Sequence, residues 1–143
     1  MIDEPIRIIL VDDHKLVRES WKMLLETNPR FHIIAVYEDG QSGIEMAQKE
    51  NPDIMLIDVS MSPVDGFVVT EKIMKTNPSI KIIGISISNQ PIFATRMLEL
   101  GAKGFITKTS SLEEINHAIM EVYKGEKYVS KEVKKNIPPQ SEL

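Results

Sequence analysis

The chain has 143 residues, no cysteine, 17 basic against 21 acidic side chains for a formal charge of -4, and 42% hydrophobic residues. That is length for one domain with a real apolar core and little else. Absent thiols exclude disulfides and thiolate chemistry, and the mildly acidic balance gives no general electrostatic reason to bind a nucleic-acid backbone.

The N-terminal stretch MIDEPIR carries early acids and a proline before an apolar run that breaks at Asp12. It reads neither as a signal peptide nor as a membrane span, so a cytoplasmic location and no membrane partner are expected. Five short apolar runs then recur: IRIILV (6 to 11), FHIIAVY (31 to 37), DIMLIDV (53 to 59), KIIGISI (81 to 87) and GFITK (104 to 108). Between and after them lie stretches with helical spacing, marked in turn by Val17, Trp21, Leu24 and Leu25; by Ile44 and Ala47; by Val69 and Ile73; by Ala94, Met97 and Leu98; and by Leu112, Ile115, Ala118, Ile119 and Val122. Several runs lack polar alternation, as strands covered on both faces do. The expected fold is therefore α/β, a doubly wound parallel sheet of five strands.

Punctuation agrees with this order. Asp39 is placed to cap a helix opening near Gly40, and Ser110 or Ser111 to cap the last one, with Glu113 and Glu114 in its first turn. Asn-Pro pairs beginning at 28, 51 and 77 fall where a helix should stop, because a residue before proline resists helical geometry. From Gly125 onward the periodicity is lost, and the chain closes on a double proline and polar residues. Residues 1–124 are expected as the domain and 125–143 as a linker or tail.

The chemistry comes from the strand ends. A doubly wound parallel sheet puts its ligand crevice at the carboxyl ends of its strands. That edge should gather Asp12 and Asp13 after the first strand, Asp58 on the third, Ser86 on the fourth and Lys108 on the fifth. Clustered carboxylates need a cation, and oxygen-only ligands favour Mg²⁺ over softer metals. An aspartate can serve as a nucleophile toward phosphorus, and phosphoryl transfer is mostly positioning and charge neutralisation, for which Lys108 and Ser86 are suited. His14 is expected as an exposed helix-start residue and not a ligand, since His32 and His117 stand on other elements and no ligand spacing results.

With those residues in place, the chain resembles the receiver domains of bacterial two-component response regulators over about residues 6 to 124. IILVDDH matches the family's opening, MLIDVSM its phosphoacceptor strand and ELGAKGFITK its approach to the fifth strand. The resemblance implies a flavodoxin-like fold, phosphorylation of Asp58, Mg²⁺ held by Asp13, by Asp12 mainly through water, by Asp58 and by the Ser60 carbonyl, and Ser86 and Phe105 as the switch pair beside the invariant lysine, Lys108. It implies a sensor histidine kinase as donor. It also implies self-chemistry limited to phosphoryl uptake and slow loss, so not an enzyme in the usual sense. Within the family, DDHKLVR and GEKYVS resemble regulators of the LuxR or NarL type, whose receiver precedes a helix-turn-helix DNA-binding domain. DNA control would then belong to a C-terminal domain absent from this chain, which itself should not bind DNA; excision is favoured over a natural single-domain regulator, and homodimer formation is left open.

Three departures accompany the resemblance. MSPVDG places Ser62 where the family writes proline and Pro63 one step later; the residue after Lys108 is Thr109 where the family has a cis proline; and Phe105 has no hydroxyl. A cis Lys108–Thr109 peptide is expected in spite of its cost, to aim the lysine, and phosphorylation is expected to pull Ser86 toward Asp58 and let Phe105 turn inward, as a shift between two packings. Rival readings fare less well. An aspartyl-phosphate phosphatase needs a second acid two residues after the first, and that position is Ser60; a flavodoxin-like cofactor binder needs a phosphate loop where DDHKLV puts carboxylates; a phosphate-blind interaction domain stays as a minor alternative.

Overall fold

The computed structural model describes residues 4–137. Strands and helices alternate as β1 (Ile6–Val11), α1 (Lys15–Leu25), β2 (Phe31–Tyr37), α2 (Gly40–Glu50), β3 (Ile54–Asp58), α3 (Gly66–Thr76), β4 (Lys81–Ser86), α4 (Pro91–Glu99), β5 (Gly104–Thr107), α5 (Leu112–Tyr123), β6 (Tyr128–Val129) and α6 (Lys131–Lys134). All strand pairings are parallel, in the order β2-β1-β3-β4-β5-β6.

Strand alternation sorts the apolar side chains into two cores. Ile6, Ile8 and Leu10 of β1 face one side, where Trp21 and Leu25 of α1 and Ile115, Ala118, Ile119 and Val122 of α5 cover them. Ile9 and Val11 face the other, under Ile44 and Ala47 of α2, Val69 and Ile73 of α3, and Ala94 and Met97 of α4. With both faces buried, continuous apolar runs are what the strands need, which is why they read without polar alternation. Asp39 caps α2 by accepting from the Ser42 amide at 2.8 Å, and Ser111, the second of the two candidate serines, accepts from Glu114 at 3.1 Å. Helices α2 and α3 stop at Glu50 and Thr76, immediately before Asn51 and Asn77.

The sheet has six strands rather than five, and the segment from Gly125 is not a free tail as far as residue 137. Tyr128 donates its amide to the Lys103 carbonyl at 3.1 Å and Ser130 to Phe105 at 2.9 Å, which adds β6 beyond β5. Val129 is buried, and Val133 on α6 is wholly buried in the core beneath α4. A strand of two residues and a helix of four have no period to detect, so these anchors are invisible to pattern reading. The double proline and the polar end, residues 138–143, lie outside the described residues.

Chain order fixes where a site can form. β2 is laid on one side of β1 and β3 on the other, so the carboxyl end of β1 opens a crevice beside that of β3. Val11 pairs with Ile57, which sets Asp12 and Asp58 at neighbouring strand ends. The loop after β3 then folds back tightly: a Cβ at Gly66 would stand 2.5 Å from the Asp58 carbonyl oxygen, a clash that only glycine avoids.

Candidate functional site

The expected residues do converge at the carboxyl edge. Asp12 and Asp58 are both fully buried, whereas Asp13 keeps about a third of its side chain in solvent at 34%. Lys108 reaches them from the end of β5 with its Nζ 2.8 Å from Asp12 Oδ2 and 3.2 Å from Asp58 Oδ2. Backbone amides hold the other oxygens: Ser60 donates to Asp58 Oδ1 at 3.0 Å and His14 to Asp12 Oδ1 at 2.8 Å. Arg18 ties down the same turn by donating to the Asp12 carbonyl at 2.8 Å. Three carboxylates therefore face one ammonium in a crevice closed to water on its inner side, an arrangement that calls for further positive charge.

His14 supplies a feature that spacing arguments missed. It does sit at the start of α1 and is half exposed, as expected, but its ring turns inward. Nδ1 lies 2.9 Å from Asp12 Oδ1, 3.2 Å from Asp13 Oδ1, 3.6 Å from Asp58 Oδ2 and 3.0 Å from Lys108 Nζ. Ligand atoms of Asp12, Asp13, His14 and Asp58 all fall within 4.8 Å of one another, the geometry of a divalent-cation site. The signal was adjacency to the acidic pair, and comparison with the distant His32 and His117 obscured it.

Ser86 ends β4, buried, one strand over; its hydroxyl accepts from the Ser88 amide at 3.0 Å. Phe105 on the neighbouring strand is wholly buried. It packs where a Cβ on Gly84 would come within 3.1 Å of the ring, and Met97 of α4 closes the same space.

The peptide between Lys108 and Thr109 is trans, contrary to expectation; among the described residues Ser62–Pro63 is the only cis bond. A cis bond without proline costs about 2.5–4 kcal/mol, and the lysine reaches both carboxylates without one. Thr109 is used differently. Its hydroxyl and that of Thr107 donate to Glu132 Oε2 of α6 at 3.2 and 3.0 Å, while Asn89, in the loop before α4, donates to Oε1 at 3.2 Å. The Thr107 hydroxyl holds the Glu132 carboxyl below its ordinary range, helped by Asn89 and Thr109. On the other side of β6, the Tyr128 hydroxyl donates to Glu114 Oε2 at 2.7 Å; burial, then that carboxylate, push the phenol well above its usual range. Both contacts depend on tertiary docking and left no local trace in the sequence.

The chain is similar to known proteins in sequence and in fold. A family model for the response regulator receiver domain matches residues 8–120. The chain is 32% identical over 135 residues to the transcriptional regulatory protein DegU of Brevibacillus brevis, covering 94% of this chain and 57% of that protein. It is 30% identical over 128 residues to the response regulator GacA of Pseudomonas aeruginosa, covering 90% of this chain and 60% of that one. The chain thus spans less than two thirds of the length of these relatives. Among solved structures, a LuxR-family two-component response regulator from Aurantimonas sp. SI85-9A1 superposes with a TM-score of 0.90 at 28% identity, covering 94% of this chain and 96% of that one. The receiver domain of the putative regulator NarL from Mycobacterium tuberculosis does so with a TM-score of 0.82 at 28% identity, covering 86% of this chain and 99% of that one. No described helix is long and apolar enough to cross a membrane. With the doubly wound sheet, the acid cluster at its switch point and the matched stretch from Ile8 to Met120 in agreement, the chain belongs to the response regulator receiver domain family.

Proposed function

We propose that this domain is a switch thrown by phosphorylation of Asp58, with a histidine kinase as donor and Mg²⁺ as the required cation. The observation that carries the reading is the Asp58 carboxylate, buried at the end of β3, 3.2 Å from Lys108 Nζ and within the Asp12 and Asp13 cluster. An Asp58 oxygen attacks phosphorus, the bond from phosphorus to the donor nitrogen breaks, and the donor imidazole leaves with the electron pair. Asp12, Asp13, Asp58 and the Ser60 carbonyl are the groups that would hold Mg²⁺, and the oxygen-rich donor set with one ammonium against three acids suits a hard dication. Bound there, the ion supplies charge neutralisation to the phosphoryl oxygens.

Lys108 carries the remaining positive charge toward those oxygens, and the Ser86 hydroxyl, which accepts from the Ser88 amide, keeps its own proton to donate to a phosphoryl oxygen. That new bond draws Ser86 toward Asp58 and, with it, the loop before α4 over the buried Phe105, a shift between two packings rather than a rigid lever. No separate substrate is turned over; the chemistry is the domain's own phosphoryl uptake and slow loss. DegU is called a transcriptional regulatory protein, and on that analogy residues 125–143 lead from this domain toward a DNA-binding output domain, in a cytoplasmic protein whose receiver acts as brake or dimeriser. Incubation with a small phosphodonor and Mg²⁺, followed by intact mass, tests the reading: one phosphoryl group is expected on the parent chain and none on Asp58→Asn. Full-yield modification of the variant would overturn the assignment.

A further inference from the structure

Glu132 is placed to act on the crevice without entering it. The residues on either side of Lys108, Thr107 and Thr109, both donate their hydroxyls to Glu132 Oε2, at 3.0 and 3.2 Å. The other oxygen, Oε1, accepts from Asn89 Nδ2 at 3.2 Å, and Asn136, just beyond α6, donates to the Asn89 carbonyl at 3.3 Å. Asn89 follows closely on Ser86, in the loop where the Ser86 hydroxyl accepts from the Ser88 amide. One carboxylate therefore grips both turns that present side chains to Asp58, the Lys108 turn and the Ser86 turn.

The Lys108 turn needs such a grip. From Thr107 to Ser111 it contains no proline, and the Lys108–Thr109 bond is trans, so hydrogen bonds hold its backbone. Lys108 donates its amide to the Ser86 carbonyl at 2.7 Å, which ties the two turns together once. Glu132 ties them a second time through side chains. An ionised carboxylate suits this work, since it offers about four acceptor sites and its bonds are charge-assisted. The same donors, Thr107 first and then Asn89, hold the Glu132 carboxyl below its ordinary range. Anchorage of α6 is a separate job: Val133 is wholly buried in the core that contains Met97 and Phe105. Three donors drawn from both turns exceed what pinning a four-residue helix requires.

The geometry points to Glu132 as a positioning residue for the phosphoryl site: by holding Asn89, Thr107 and Thr109 on one carboxylate, it fixes Lys108 relative to Ser86. The inference rests on the switch reading above and adds that a residue beyond the matched stretch, 8–120, completes the alignment of the site. Phosphoryl transfer is mostly positioning, and a misplacement of about 1 Å caused from outside the chemistry can cost about 100-fold.

Three variants of the whole chain separate alignment from anchorage. Glu132→Met keeps the bulk and removes both acceptors. Glu132→Gln keeps an acceptor for Asn89 and turns its amide toward the threonine hydroxyls, which can accept. Val133→Ala weakens the docking and leaves the carboxylate in place. The first readout needs no phosphoryl group: amide hydrogen exchange at Lys108 and Ser88 in the unphosphorylated chain is expected to be at least ~10-fold faster in Glu132→Met and within ~2-fold of the parent in the other two. The second is the rate of phosphoryl uptake from acetyl phosphate with Mg²⁺ across a range of donor concentrations. Its maximum should fall ~10-fold in Glu132→Met, with the half-saturating donor concentration changed by less than ~3-fold, and should stay within ~2-fold of the parent in Glu132→Gln and Val133→Ala. Thr109→Val, at an exposed position, should act in the same direction by ~3-fold, and keeps the test open if Glu132→Met does not fold. Unchanged exchange in both Glu132→Met and Thr109→Val, a Glu132→Gln as impaired as Glu132→Met, or a Val133→Ala that slows uptake as much as Glu132→Met each overturns the inference. A parent chain that takes no phosphoryl group on Asp58 overturns the switch reading instead, and the exchange measurement still decides whether Glu132 holds the two turns.

Discussion

The crevice at the ends of β1, β3 and β5 and the docking of α6 against β5 both rest on buried or clustered carboxylates, yet they are built on opposite principles. In the crevice, Asp12, Asp13 and Asp58 are forced together by strand topology, and Lys108 is the one lysine that answers them. At α6, a single carboxylate, Glu132, is met by three neutral donors, and Val133 beside it is fully buried. The first region stores repulsion that binding can relieve, and the second is satisfied as it stands. Sites meant to receive a ligand are left electrostatically incomplete; contacts meant to hold the chain in place are not.

If that contrast is right, the two regions respond differently to loss of a partner. Lys108→Met leaves the buried acids uncompensated and should cost about 3 kcal/mol by denaturant unfolding. Adding Asp12→Asn should recover much of this, and a double variant no more stable than the single one would break the comparison on its first limb. At the second region, Val133→Ala removes two methyl groups from a closed core and should cost about 2 kcal/mol, with no recovery from any change at the crevice. Additivity of Val133→Ala with Lys108→Met, measured as unfolding midpoints, sharpens the claim that the regions are independent.

Smaller effects probe the docking more finely. Tyr128→Phe deletes the bond to Glu114 and should cost about 1 kcal/mol. Since the phenol is raised in the folded state, its contribution is present below the ordinary tyrosine pKa and is lost as pH rises beyond it. A parent chain whose alkaline weakening is matched in full by Tyr128→Phe would contradict this. Glu132 behaves with the opposite sign. Its folded pKa is lowered, so its stabilisation is present above the ordinary carboxylate range and fades as pH falls through the folded value. Amide exchange at residues 128–134 should therefore quicken on acidification in the parent, and in Glu132→Gln should lose that pH dependence.

The same contrast explains what the sequence disclosed. Asp12, Asp13, Asp58, Ser86 and Lys108 were legible because a parallel sheet sends every strand end to one edge, so position along the chain converts directly into proximity. The two buried faces of the sheet were legible for a similar reason, in unbroken apolar runs. His14 was half legible: its place at the helix start followed from the pattern, but the inward turn of its ring depends on charges brought from β3 and β5. The isomer at Lys108–Thr109 is not legible in sequence: the lysine reaches both carboxylates across a trans bond. β6 and α6 were missed because Val129 and Val133 are isolated apolar residues among polar ones, and only the groove beside β5 gives them meaning.

The brevity of β6 has a consequence for anyone who cuts this chain. Its pairing gives partners to the Lys103 and Phe105 carbonyls, on the flank of a strand buried at every residue from Gly104 to Thr107. Truncation at residue 124 would strip that cover and turn β5 into a raw sheet margin, with unpaired backbone groups and an apolar flank open to any other extended chain. Being only two residues long, β6 offers such a chain little to extend. The short strand thus works as a selvage, finishing the sheet so that it neither frays nor templates its neighbours, and a soluble fragment has to keep it.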